Sequence, residues 1–132
     1  MKVTPDTNVL VRAIVADDPK QAKTAQTALK NADTIAITSV ALCEFVWVLM
    51  RGYGLGRAEV AAAVRGLAAS SNVEANRPAI NAGLLHLEAG GDFADGVIAF
   101  EGAALGGETF VSFDKDAVAI QRDLGGAGRL LT

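Results

Sequence analysis

The chain is poor in the residues that most often carry cross-links, metal sites or stacking surfaces. It has one cysteine, Cys43, in 132 residues, so no disulfide can close within the chain and no pair of thiolates can hold a metal. A reducing, cytoplasmic setting is the expectation that follows. The single histidine, His86, has no second imidazole or cysteine at ligand spacing, so a packed or surface role is expected for it rather than zinc ligation or catalysis. The seven aromatics, five of them Phe, are scattered and form no row of rings for stacking single-stranded bases. Long apolar runs are missing as well. The stretch Val40 to Met50 is interrupted by Glu44, and the first residues lack the apolar segment and cleavage site of a signal peptide, so no membrane span and no export signal are expected. Positive charge is also not in excess. The formal net charge of −3 is the opposite of what a phosphate-binding surface draws on.

What remains is the composition of a packed globular protein, 51% hydrophobic and 20% charged, with a length that suits one domain over residues 1–132. No repeat, charge block or Ser/Pro-rich linker divides it. Short β-type runs at Lys2 to Thr4, Thr34 to Thr38, Asn72 to Glu74 and Thr109 to Phe113, with a last one at Arg129 to Leu131, alternate with helical stretches. That alternation predicts an α/β fold with a parallel sheet. Asn8 is placed to cap a helix to about Val15, Asp18-Pro19 to start the next, and Ser39 to cap one through Met50 or Arg51. The glycines at 52, 54 and 56 break that helix, and further helices fit Arg57 to Ala69, Pro78 to Glu88, Phe93 to Leu105 and Lys115 to Leu124.

The informative residues are acids without a local partner. Glu44 lies in a helix so apolar on all sides that burial is expected, and its neighbours Val40, Ala41, Trp47 and Val48 offer no compensating charge. The bland alternative is a glutamate bonded to backbone amides or to a distant arginine. Asp6 ends the first strand, at the sheet edge where ligand sites collect; a cap or Asx-turn is the alternative. Asp92 and Asp95 stand three apart at a helix start, where like charges repel, although a capping role for Asp92 accounts for it equally well. Asp114 closes the fourth strand, again with a cap as the alternative, and Asp116 reads better as a solvated first-turn residue than as a ligand. Taken together, these acids share one explanation: they surround a divalent cation. Oxygen donors without His or Cys suit Mg²⁺, or Mn²⁺ in its place. Setting the five acids Asp6, Glu44, Asp92, Asp95 and Asp114 aside from 15 leaves ten against 12 Lys and Arg, so the rest of the chain is slightly basic.

The ordered set Asp6-Thr7-Asn8 after a short strand, Glu44 in an apolar helix, Asp92-Phe93-Ala94-Asp95 before another, then Ser112-Phe113-Asp114, resembles a PIN domain over nearly the whole chain. The wording of Asn8 to Arg12 and Glu44 to Leu49 is similar to the VapC toxins of bacterial toxin–antitoxin pairs. The resemblance implies a three-layer α/β/α fold around a mostly parallel sheet of four or five strands. It implies a metal-dependent endoribonuclease, held inactive by a VapB-like antitoxin, that forms a homodimer and leaves 5′-phosphate and 3′-hydroxyl ends. By motif position Asp6, Glu44, Asp95 and Asp114 match the family's acidic quartet, Asp92 an accessory acid and Ser112 a polar position beside the last aspartate. Asp6, Asp95 and Asp114 would hold Mg²⁺, with Glu44 completing the shell or orienting the attacking water. Asn8 and Ser112 could bond waters or phosphate oxygens, and Arg12, Lys20, Lys23, Arg51 and Arg57 could contact RNA. Pro5 departs from the aliphatic residue usual before the first aspartate. Competing readings are a non-catalytic RNA- or partner-binding module, a nuclease of RNA processing, and a receiver-type phosphoryl-transfer domain, for which the third strand end, Glu74-Ala75-Asn76, lacks the required aspartate.

Overall fold

The computed structural model describes Met1–Thr132 and divides into two compact units, Met1–Asn76 and Arg77–Thr132. Each is α/β, and every strand pairing is parallel.

The first unit runs β1 (Lys2–Val3), α1 (Thr7–Ile14), α2 (Pro19–Asn31), β2 (Thr34–Ala36), α3 (Ser39–Trp47), α4 (Arg57–Ala69) and β3 (Val73–Glu74), with a π-helical turn at Val48–Gly52 between α3 and α4. Its sheet has the order β1-β2-β3, with Val3 opposite Ile35 and Ile35 opposite Val73. Parallel neighbours need crossovers, which the helices supply. Leu10, Phe45, Leu49, Val60 and Val64 are fully buried, so one face each of α1, α3 and α4 closes the core.

The second unit contains α5 (Arg77–Glu88), α6 (Phe93–Ala104), β4 (Phe110–Ser112), α7 (Lys115–Asp123) and β5 (Gly128–Leu130), with β4 and β5 paired across α7. Helices α5 and α6 form a tight hairpin through Gly90, which adopts φ +95°. Gly96 permits the close approach: a Cβ there would lie 2.3 Å from the Ala82 carbonyl oxygen. Phe93, Leu87 and Val118 fill the core.

All five expected strands and the expected helices are present, and the parallel α/β class holds. The strands are hydrogen-bonded as three and two rather than as one continuous ladder. Three local expectations are corrected. Asp6, not Asn8, caps α1, so Asn8 lies inside the helix. Thr38, not Ser39, caps α3 through its hydroxyl, because the extended backbone at Thr38 presents that oxygen to the Ala41 amide. The third expected difference is at Glu44, which is exposed: α3 is apolar all round but buries only Ala41, Leu42, Phe45 and Val46, and leaves Val40 and Trp47 68% and 61% exposed. No helix is long and apolar enough to cross a membrane.

Candidate active site

In the first unit the chain leaves β1 through buried Pro5 and turns at once into α1, which puts Asp6 at the helix N-terminus. Its Oδ1 accepts the Val9 N–H at 3.1 Å; Oδ2 is left without a hydrogen bond. The next residue, Thr7, donates its hydroxyl to Glu44 Oε2 at 3.1 Å. This bond links the start of α1 to the middle of α3 and brings the Asp6-Thr7 turn and Glu44 into one neighbourhood. Glu44 therefore needs no buried cation to satisfy it, since solvent and one hydroxyl suffice. Thr7 is the residue that sequence reasoning missed. It stands inside the Asp6-Thr7-Asn8 motif, but nothing in the order of residues reveals its reach to a side chain 37 positions away. A groove of about 730 Å³ between α1 and α2 opens at Asp6 and is lined by Asn8, Arg12, Lys20 and Thr24. Arg12 is held there by Asp17, which also accepts the Tyr53 hydroxyl.

The second unit contributes three acids. Asp92 caps α6, its Oδ1 accepting the Ala94 N–H at 3.1 Å. Asp114 caps α7, its Oδ1 accepting from Asp116 and Ala117 at 2.9 and 3.1 Å. Ser112 Oγ in turn accepts the Asp114 N–H at 2.9 Å, so Ser112 supports the turn that presents Asp114. Asp116 is exposed in the first turn of α7. Asp95, one turn into α6, is half-buried, and its carboxyl is pushed above the usual carboxylate range. Burial is the largest cause, followed by the negative charges of Asp92 and Asp114, while His86 acts in the opposite direction. Asp92, Asp95 and Asp114 are thus close enough for their charges to act on one another. His86 is 2% exposed and bonds Gln121 through Nε2 at 2.9 Å, the packed role expected of it.

None of the five acids is paired with a Lys or Arg; ion pairs at other carboxylates include Met1–Asp33 and Arg12–Asp17. In the second unit the charges of Asp92 and Asp114 act on Asp95, opposed only by His86, and oxygen-only donors of this kind have the chemistry that fits a hard divalent ion. The side chains as they stand do not enclose one, since no three His, Cys, Asp or Glu form a ligand group. The three caps do not compete with ligation, because each spends one oxygen on backbone amides and keeps the other.

The family model described as PIN domain matches residues 3–123. No curated protein matches the chain.

Proposed function

Since the chain belongs to the PIN-domain family, a nuclease family, we propose that it is a Mg²⁺-dependent endoribonuclease of the VapC toxin type, with Asp6, Glu44, Asp95 and Asp114 as its acidic set and Asp92 as an accessory. The observation that carries this reading is the PIN-domain match over residues 3–123, and the grouping of Asp92, Asp95 and Asp114, close enough that burial and the two neighbouring charges raise the Asp95 carboxyl, supports it. The family match runs through the boundary between the units at 76/77, which supports reading 1–132 as one PIN domain.

Asp6, Asp95 and Asp114 would hold a divalent ion, which would supply an acidified water and offset charge at the scissile phosphate. The protein's own part is orientation. Capping fixes Asp6 and Asp114 on the ends of helices, and Thr7 holds one oxygen of Glu44, which would complete the metal shell or orient the attacking water. Ser112 steadies the turn before Asp114. Lys20 and Arg12, in the groove beside Asp6, meet the negative backbone of single-stranded RNA. The exposed Val40 and Trp47 on α3 support the homodimer, and an acidic site without its own cation suits an antitoxin that inserts a basic side chain. A cytoplasmic location accords with the lone free cysteine.

A second reading, a non-catalytic binding module, is favoured by one fact: Asp6, Asp92 and Asp114 already have a structural task as caps. Induced expression of the chain in a bacterial host, beside Asp95→Ala, separates the two. Growth arrest with new 5′-phosphate RNA ends for the native chain alone is the expected result. Identical behaviour of two folded proteins overturns the nuclease in favour of the module.

A further inference from the structure

We infer that Phe113 is a base-stacking residue that seats the nucleobase next to the scissile phosphate; the inference rests on the proposed ribonuclease reading. The chain has five phenylalanines. Phe45 and Phe93 are fully buried, Phe100 and Phe110 are half-buried, and Phe113 is 77% exposed. A lone exposed apolar residue needs no explanation by itself. This ring, however, lies between Ser112, whose hydroxyl supports the following turn, and Asp114, the α7 cap of the proposed acidic set. It is followed by Lys115, exposed and in no ion pair. Three consecutive residues therefore offer a π-face, a carboxylate and an ammonium, the three chemistries that meet a base, a metal-bound phosphate and the next phosphate of a single strand.

The surroundings favour a nucleic acid over a protein. Asp114, Lys115 and Asp116 are all exposed beside the ring, with Val111 the exposed apolar residue nearest in sequence, and a protein contact would need a larger continuous apolar patch than a ring and a valine next to three charges. The turn is also rigid, because Asp114 accepts two amides of α7 and gives its own amide to Ser112. A ring on a fixed turn loses little freedom on stacking.

The test uses the full chain with Phe113→Ala, Phe113→Leu and Phe113→Trp, each checked for native circular dichroism. Binding is read in EDTA by anisotropy of a fluorescein-labelled single-stranded RNA pool. Cleavage is read in Mg²⁺ on the same pool, and then on one oligonucleotide carrying the mapped cleavage site, intact or with an abasic ribose on either side of it. Phe113→Ala and Phe113→Leu are expected to weaken binding and kcat/KM by about tenfold to a hundredfold, with Phe113→Trp near native. On one of the two abasic substrates, native and Phe113→Ala should cleave equally. Cleavage by the native chain with no dependence on Phe113 overturns the stacking and leaves the ribonuclease standing. Phe113-dependent binding without cleavage overturns the ribonuclease and keeps the stacking. No RNA binding at all, a loss that persists on both abasic substrates, or a loss that tracks a change of oligomeric state assigns the ring to another role and overturns the inference.

Discussion

Asp95 shows how a site can be written in the protonation of one side chain. The unfolded chain releases the Asp95 proton at the ordinary value of 3.8, the folded chain at a higher one. Between the two, the folded protein binds more protons than the unfolded, so stability falls as pH rises through that window. The contribution is fully present below 3.8 and lost above the folded pKa. Asp95→Asn removes the charge that burial and the neighbouring acids penalise. In chelator at neutral pH the variant is expected to melt above the native protein, with the gap closing by about pH 3; thermal melts across pH measure this, and coincident melts at neutral pH would contradict the penalty. The gain comes with lost cleavage, as is usual where a site is built against stability. Thr7→Val tests the other half of the acidic set. Losing the hydroxyl that holds Glu44 should lower kcat by about tenfold, with KM near native and a stability loss of about 1 kcal/mol. A rise in KM alone would place Thr7 in RNA binding instead.

At the scale of elements, the helix N-termini serve both folding and site. Asp114→Ala removes the bonds to the Asp116 and Ala117 amides and should cost about 1 kcal/mol. Asp114→Asn keeps the cap and loses the charge. The expected outcome is that both variants lose cleavage by at least about a hundredfold, while chemical denaturation finds only the alanine variant destabilised. Cleavage by the asparagine variant at the native rate would leave Asp114 as a cap alone. Gly96→Ala, which drives a methyl into the Ala82 carbonyl, should destabilise the α5/α6 hairpin by about 1–3 kcal/mol or more. The element scale is also where the sequence was most and least legible. Asp18-Pro19 announces α2, and Arg57 to Ala69 is helical over its whole expected length. The errors have physical reasons. Asp6 takes the cap from Asn8 because Pro5 ends the strand early enough for α1 to begin at Thr7. The apolar helix ends in a π-helical turn that runs to Gly52, a widening that hydrophobic spacing does not encode. Glu44 is exposed because α3 covers the core with one face only, and composition cannot say how much neighbour a helix has.

For the whole molecule, charge and connectivity matter more than any single contact. The proposed set takes Asp6 and Glu44 from the first unit and Asp95 and Asp114 from the second. If these acids serve one reaction, Glu44→Gln and Asp95→Asn each abolish most activity, and the double variant is no worse than the weaker single one. Multiplying losses in single-turnover cleavage would instead mean that the two act independently. The order of acids along the chain was readable, and it led to the family. Their distribution over two units was not, because the pattern along a chain carries no record of which strands share hydrogen bonds.

The capping of Asp6, Asp92 and Asp114 by a single oxygen each has a consequence for amide exchange. The N–H groups of Val9, Ala94, Asp116 and Ala117 lie in first helical turns, which offer no backbone acceptor, and are bonded to carboxylates instead. Deuterium uptake at these amides therefore reports on the acids themselves. Slow uptake in chelator-treated protein would mean that the carboxylates are already aimed before any ion arrives. Capture of Mg²⁺ would then be timed by the ion's reluctance to shed water rather than by a rearrangement of the chain.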